Sequence, residues 1–249
     1  MRQVILNCPI DNLSMTETTE VVSEAISDRR QLHHVVVNAA KIVNMQRDHE
    51  LNEAVRACDI INADGQSVIW ASRLLRKPLK ERVAGVDLMQ RLVELSYRNN
   101  YKIYFFGAKE EVVQAVVDKY CNQYSKEIIA GYRNGYFKQE EEKEIANSIA
   151  NSGANILFVA ISSPKKEIFL NKNKHILSSV NFIMGVGGSF DVVAGKVKRA
   201  PLWMQKIGLE WLYRLLQEPT RLWKRYLVTN SWFIWLVIKE KLRMIISRN

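Results

Sequence analysis

The length, composition and charge of the chain exclude several classes of protein. With 249 residues, a hydrophobic fraction of 47%, a charged fraction of 25% and a net charge of +10, it has the composition of a globular protein. Three scattered cysteines without a CxxC pair argue against a disulfide framework or a structural zinc site, and they fit a reducing compartment. The first residues become polar too early for a signal peptide. The longest late apolar run has seven residues where a membrane span needs about 20, so we expect no bilayer crossing.

Short β-branched or aromatic runs alternate with helical stretches over the first 195 residues. This alternation predicts an α/β fold with a mostly parallel, Rossmann-like sheet covered by helices on both faces. The predicted strands lie at residues 34–37, 59–61, 102–106, 128–130, 156–161 and 182–184. The predicted helices lie at residues 16–28, 67–75, 86–98, 110–123, 139–151 and 165–173. Ligands of such folds bind at the carboxyl ends of the strands, so we expect a site in those loops.

The composition changes near Gly195, which predicts an α/β domain over residues 1–195 and a helical appendage over residues 196–249. The appendage contains twelve Lys and Arg, three Glu and five of the six tryptophans, whereas the remainder is nearly neutral. Its pattern is helical over 202–217 and, after a break at Glu218 and Pro219, over 221–246. Basic residues mixed with Trp and Leu suit an anionic membrane surface, and they would also suit RNA.

Two polar loops follow the first two predicted strands. Asn38 begins the first loop, and Asp64 lies in the second, directly before a predicted helix. An Asp in that position is most commonly an N-cap, and on spacing alone this is the favoured interpretation. The functional alternative is a general base at the mouth of a ligand cleft.

Later loops offer residues suited to a nucleotide, each with an ordinary structural alternative. Arg82 could bind a diphosphate through its planar guanidinium, although a lone loop arginine is usually solvated. Gly107 ends a strand before a helix and would leave helix amides available to a phosphate, which is a weak signal. Gly131 and Tyr132 begin a loop that could stack an aromatic ring on a base or simply cover the core. Gly187 permits close backbone approach to a ligand, or it belongs to a tight turn.

Several chemistries are missing from the sequence. It has no Walker P-loop, HExxH, GxSxG or Asp-x-Asp motif, and its histidines lack metal-ligand spacing, so we expect no metal site and no cofactor. A dinucleotide oxidoreductase would need a GxGxxG motif and an acidic ribose ligand, which are also missing. The residues alone therefore predict a nucleotide-type α/β domain with a basic, aromatic helical tail.

A resemblance to a known family sharpens this prediction. Between about residues 38 and 225 the sequence resembles the WecG/TagA/CpsF glycosyltransferases, glycosyltransferase family 26. The resemblance is carried by six segments, of which the last two are long and unusual: NADGQSVIW, ERVAGVDLM, GYFK, SSPKKEIF, MGVGGSFDVVAGKVKRAP and GLEWLYRLLQEPTR. It implies transfer of N-acetylmannosamine, its uronic acid or a related sugar, with anomeric inversion, from a UDP donor to a sugar on undecaprenyl diphosphate.

The resemblance also implies roles for individual residues. Asp64 is expected to be the catalytic base, Arg82 a ligand of the leaving diphosphate, and Asn38 a part of the donor pocket. Three basic residues of the appendage match positions thought to close the site and meet the lipid diphosphate: Arg214, Arg221 and Arg225. The sequence departs from the family pattern at Lys166, where Gln is usual, and at Val36, where Thr is frequent. Lys166 is thus predicted to contact a carboxylated sugar or phosphate of the donor, or else to point to solvent.

Together these features predict the partners and the location of the protein. We expect a UDP-sugar, a lipid-linked sugar acceptor and the anionic inner face of the cytoplasmic membrane as partners, in bacterial cell-surface polysaccharide synthesis, and no nucleic acid. A homo-oligomer is compatible with the sequence. The alternative function is a non-catalytic nucleotide- or RNA-binding protein whose basic tail holds RNA.

Overall fold

The computed structural model describes residues 2–246 and contains a six-stranded sheet with every strand parallel to its neighbours, in the order β4-β3-β8-β7-β5-β6. These strands are β3 (Leu32–Val37), β4 (Ile60–Ala63), β5 (Ile103–Gly107), β6 (Ile129–Arg133), β7 (Ile156–Ala160) and β8 (Phe182–Gly185). All six predicted strands and the α/β class are confirmed. Burial on both faces explains why β5, β7 and β8 are nearly continuous apolar runs, whereas the edge strand β6 is only partly buried.

Helices cover both faces of the sheet. Within the α/β part they are α1 (Met15–Ser27), α2 (Ala39–Met45), α3 (His49–Arg56), α4 (Gln66–Leu74), α5 (Gly85–Asn99), α6 (Glu110–Gln123), α7 (Glu142–Ala150), α8 (Lys165–Lys172) and α9 (Ser189–Val193). Short 3-10 helices lie at Lys126–Ile128, Gln139–Glu141 and Ile176–Ser179. The six predicted helices are confirmed. The sequence prediction missed α2, α3 and α9, which are short and begin directly after polar loops.

A β-hairpin precedes the sheet and was not predicted. Strands β1 (Arg2–Ile5) and β2 (Cys8–Asp11) are antiparallel. Their turn residues Leu6 and Asn7 have φ of 50° and 61°, a conformation usually signalled by Asn-Gly, which this turn lacks. Asp11 fixes the hairpin to the sheet by accepting a 2.9 Å hydrogen bond from the Ile61 amide.

The described part of the appendage, up to residue 246, forms three helices, α10 (Leu202–Lys206), α11 (Glu210–Gln217) and α12 (Pro219–Ile246). The prediction of one helix over 202–217 is wrong, because Gly208 interrupts it with a φ of +73°. A Cβ at Gly208 would lie 2.8 Å from the Gln66 Cβ, so the chain turns here against α4. Pro219 then occupies the first turn of α12, where its missing amide hydrogen costs nothing.

Helix α12 has one face in the core and another exposed. Phe233 and Val237 are buried in an apolar cluster with Ile42 and Val43 of α2. An exposed apolar stripe follows at helical spacing on another side of α12: Trp223, Leu227, Ile234, Ile238 and Ile245. None of the helices described between residues 2 and 246 combines the length and apolarity needed to cross a membrane.

Candidate functional site

Three of the predicted site residues lie close to the carboxyl ends of β3, β4 and β8. Asn38 follows β3, Asp64 follows β4, and Gly187 follows β8, and these three strands are near neighbours at one end of the sheet order. The Asp64 amide donates to the Val37 carbonyl over 2.8 Å. A Cβ at Gly65 would lie 3.6 Å from the Asn38 Cβ, so Asn38 and Asp64 lie in adjacent loops. Asn38 also caps α2 by accepting from the Lys41 amide at 3.0 Å.

Asp64 does not cap the helix that follows it. The N-cap of α4 is Gly65, and no side chain caps that helix. Instead Asp64 Oδ2 accepts from the Gly85 amide at the start of α5, 3.3 Å away, and Oδ1 lies 3.8 Å from Arg82 Nε. Burial raises the pKa of Asp64 above its usual value, although Arg82 and the Gly85 amide act in the opposite direction. The favoured N-cap interpretation is therefore wrong, and a half-buried carboxylate of raised proton affinity lies at the site.

Arg82 joins Asp64 to an alternating series of charges that we call the charge chain: Asp64, Arg82, Glu210, Arg199 and Asp87. Arg82 Nη2 donates to Glu210 Oε2 at 2.8 Å. Arg199 donates from Nε to Glu210 Oε1 at 3.3 Å and from Nη2 to Asp87 Oδ2 at 2.8 Å. The Arg82 side chain is only 15% exposed, so it is not the solvated loop arginine of the structural alternative.

The other three members of the charge chain are not among the site residues predicted from the sequence. Asp87, Arg199 and Glu210 lie far apart in sequence, and only the fold brings them together. Each one does fall within a segment that carries the family resemblance, namely ERVAGVDLM, the KVKRAP end of the glycine-rich segment, and GLEW. Their location in these segments was the only feature of the sequence that could have indicated a role in the site.

Arg214 of the appendage contacts the loop between β8 and α9, residues 186–188, which we call the glycine loop. A Cβ at Gly188 would lie 2.3 Å from Arg214 Nη2, so the guanidinium rests directly on that glycine. Gly187 has a φ of +52°, which favours glycine, and it shapes the same loop. Arg225 lies on the exposed side of α12 with its guanidinium 5.1 Å from the Tyr226 ring centroid. The side chain of Arg221 lies outside the described residues.

Lys166 is buried rather than solvent-facing, so that alternative is wrong. Its ammonium lies 3.4 Å from Glu167 Oε1, which also accepts from Lys41 Nζ at 2.7 Å. Burial, together with the neighbouring Lys41, lowers the pKa of Lys166 to about 8 against the opposing effect of Glu167. Burial alone would raise the pKa of Glu167, but the two lysines outweigh it and lower that pKa to about 2. A Cβ at Gly185 would lie 2.5 Å from Lys166 Cε, which places the lysine directly against the glycine loop.

The remaining predicted donor residues lie away from Asp64. Gly131 belongs to β6 rather than to a loop, a correction to the prediction, and it makes room for the Tyr104 ring. Tyr132 is 39% exposed on the same edge strand, five strand spacings or about 24 Å from β4. Close packing of β5 against β7 explains the glycine at Gly107, because a Cβ there would lie 2.6 Å from the Ala160 carbonyl carbon.

Within residues 2–246, no group of three or more His, Cys, Asp or Glu side chains is arranged to hold a metal ion. The polar groups gathered near Asp64 are carboxylates, guanidiniums and glycine amides. Guanidiniums bind phosphate oxygens in pairs, and glycine loops permit close approach of a phosphate. A parallel sheet with such groups at its carboxyl edge defines a doubly wound α/β protein of the nucleotide-binding type.

Comparison with known proteins assigns the chain within that class. The chain belongs to the WecG/TagA/CpsF family of glycosyl transferases, whose sequence model matches residues 3–246. A protein of Bacillus subtilis (strain 168), named N-acetylglucosaminyldiphosphoundecaprenol N-acetyl-beta-D-mannosaminyltransferase, is 32% identical over 241 residues, which cover 96% of this chain and 92% of that protein. A protein of the same name from Bacillus spizizenii (strain ATCC 23059 / NRRL B-14472 / W23) is 38% identical over 171 residues, 69% of this chain and 65% of that protein. The chain is therefore a glycosyltransferase, and the alternative of an RNA-binding protein is not supported.

Proposed function

We propose that the protein transfers N-acetylmannosamine, its uronic acid or a related sugar from a UDP donor to a sugar carried on undecaprenyl diphosphate. The names of the two Bacillus relatives support an N-acetylmannosaminyl donor and an N-acetylglucosaminyl diphosphate lipid acceptor. The observation that carries the proposal is the Asp64–Arg82 pair, a half-buried carboxylate 3.8 Å from a guanidinium at the carboxyl edge of the sheet. This pair supplies a base for the acceptor and a cation for the leaving group.

In this proposal Asp64 is the general base of an inverting displacement. Its ionised carboxylate takes the proton of the acceptor hydroxyl as that oxygen forms a bond to C1 of the donor sugar. The C1–oxygen bond to UDP breaks on the opposite face. Burial raises the pKa of Asp64, which makes its ionised form a stronger base than an ordinary aspartate.

Arg82 and the loop amides stabilise the negative charge that develops on the departing diphosphate. Preorganised donors aimed at developing charge supply a large share of catalysis in many enzymes. Arg214, resting on Gly188, is positioned to add a second guanidinium from the appendage. With these cations in place we propose that transfer proceeds without a metal ion. Asn38 and Gly187 border the donor pocket, and Lys166 contributes positive charge from beneath the glycine loop.

The appendage is proposed to hold the enzyme at the inner face of the cytoplasmic membrane. All five of its tryptophans are at least 37% exposed, and the exposed stripe of α12 is flanked by basic residues. Each Lys or Arg near an anionic surface contributes about 1 kcal/mol, and buried apolar area adds attraction that salt does not weaken. Arg221 and Arg225, near the start of α12, would meet the lipid diphosphate there.

The test is UDP release from a panel of UDP-sugars, with and without a lipid diphosphate N-acetylglucosamine acceptor. We expect release that depends on both substrates and is fastest with UDP-N-acetylmannosamine or its uronic acid. Asp64→Asn serves as the control for uncatalysed hydrolysis. Release that is independent of acceptor, or absent with every donor, would contradict the proposal.

A further inference from the structure

Two members of the charge chain come from the appendage, Arg199 and Glu210, and the one that contacts Arg82 is Glu210. It is the first residue of α11, and its two carboxylate oxygens serve two different arginines. Oε2 accepts from Arg82 at 2.8 Å, and Oε1 accepts from Arg199 at 3.3 Å. One side chain of the appendage thus holds the guanidinium that lies beside the predicted base.

The contacts continue until they return to Asp64. Arg199 pairs with Asp87 in the first turn of α5, and the Gly85 amide, two residues earlier on that helix, donates to Asp64. Asp64 and Glu210 therefore bind the same arginine on one side and are linked through α5 on the other. All five side chains of the charge chain are no more than 44% exposed, which limits their freedom to reorient.

We propose that Glu210 is a positioning residue through which the docked appendage holds Arg82 in place against Asp64. The inference rests on the proposed roles of Asp64 and Arg82. Without Glu210, the Arg82 guanidinium would be free to turn towards Asp64 and pair with it alone. That arrangement differs from one in which Nε faces the base, Nη2 is occupied by Glu210, and Nη1 remains for a diphosphate oxygen.

A second consequence is electrostatic. The negative charge of Glu210 opposes the ionisation of Asp64, whereas Arg82 favours it. Glu210→Gln keeps the shape of the side chain and removes that charge, so Asp64 should release its proton at lower pH. Arg199→Gln breaks the contact of the appendage with Asp87 and the second arginine contact of Glu210. It removes a positive charge, however, so it cannot lower the pKa of Asp64.

The experiment compares full-length wild type with Glu210→Gln, Arg199→Gln and Glu240→Gln. Glu240→Gln is the matched control, since it removes one carboxylate from the appendage outside the charge chain. Two readouts are used: kcat and KM for UDP release as a function of pH, and titration of the Asp64 carboxyl by ¹³C NMR, assigned with Asp64→Asn. The NMR readout needs no turnover.

For Glu210→Gln we expect kcat to fall by about tenfold to a hundredfold with a smaller change in acceptor KM. In Glu210→Gln, the acid limb of the kcat–pH profile and the NMR titration of Asp64 should both move to lower pH. Neither should move to lower pH in Arg199→Gln or Glu240→Gln. An Asp64 titration in Glu210→Gln equal to wild type would overturn the inference. An equal downward shift in Arg199→Gln would also overturn it, since docking alone would then explain the effect. A wild type that transfers no sugar would refute the proposed function, and the NMR titration would still decide the role of Glu210.

Discussion

Arg214 lies so close to Gly188 that a methyl group on that glycine would be 2.3 Å from its Nη2. The φ of Gly188 is −74°, so alanine fits the backbone there, and the guanidinium at the end of a flexible side chain is what must move. Gly188→Ala should therefore displace Arg214 and reduce turnover, while the free energy of unfolding changes by less than about 1 kcal/mol.

A double-mutant cycle with Arg214→Ala checks this prediction. If Gly188 acts only by seating Arg214, Gly188→Ala/Arg214→Ala should be no slower than Arg214→Ala alone. Additive losses in kcat would instead place Gly188 in direct contact with a substrate.

Asp64→Asn should lower kcat by about 10²-fold or more, because it removes the proton acceptor and keeps the shape of the side chain. In wild type the acid limb of kcat against pH should lie above the usual titration of aspartate, since the pKa of Asp64 is raised and the ionised form is the active one. UDP release across a pH series measures both. Circular dichroism checks the fold, and near-normal kcat in a folded Asp64→Asn protein would rule out its role as the base.

Arg82→Ala should cause a sharp loss of kcat/KM, and Arg82→Lys should recover only part of it, because an ammonium lacks the paired donors of a guanidinium. Arg91→Ala, an exposed arginine on α5, is the matched control. Wild-type turnover should survive EDTA. Activity that disappears in EDTA and returns with Mg²⁺ or Mn²⁺ would reject the metal-free proposal.

Lys166→Gln should stabilise the protein by on the order of 1–3 kcal/mol at pH 7, because two buried lysines share one glutamate and the Lys41–Glu167 pair remains. The folded-state pKa of Lys166 is depressed to about 8, so wild type gains stability as pH rises from about 8 towards the unfolded value of about 10.4. The two proteins should therefore converge over that window. Urea unfolding at pH 7 and pH 10 measures this, with the exposed neighbour Lys165→Gln as control.

The same Lys166 variant tests donor choice. If Lys166 pairs with a negative group of the donor, Lys166→Gln should lose more activity with uronic than with neutral UDP-sugars. An unchanged donor ranking would leave Lys166 with a structural role only.

The two faces of α12 should respond differently to mutation. Phe233→Ala should lower the free energy of unfolding by about 3–5 kcal/mol, because Phe233 is buried against α2. Trp223→Ala, which is 55% exposed, should leave stability nearly unchanged but weaken sedimentation with anionic vesicles. Equal vesicle binding by wild type and Trp223→Ala would remove the exposed stripe from the membrane proposal.

Much of the fold follows from local sequence pattern, and the site does so less completely. Parallel strands buried on both faces are apolar runs and could be read from the sequence, and the partly buried edge strand β6 could be read from its short apolar start at Ile129 and Ala130. The β1–β2 turn at Leu6 and Asn7 lacks glycine, so nothing local indicated it. Asp64 and Arg82 were found through family segments, whereas their link to Glu210 spans 128 residues for Arg82 and depends on tertiary packing. The sequence pattern predicts a loop at Gly131 because a glycine in a strand resembles a turn, and the Tyr104 ring that requires a glycine there lies on another strand.

Because α12 is anchored in the core by Phe233 and Val237, its exposed stripe cannot turn independently of the sheet. A surface that binds this stripe is thereby held at a set angle to the carboxyl edge, and rotation of the enzyme on that surface is restricted to the axis normal to it. Asp64 would then lie at a fixed height above that surface. The enzyme would therefore select acceptors by the distance between their reacting sugar and the lipid.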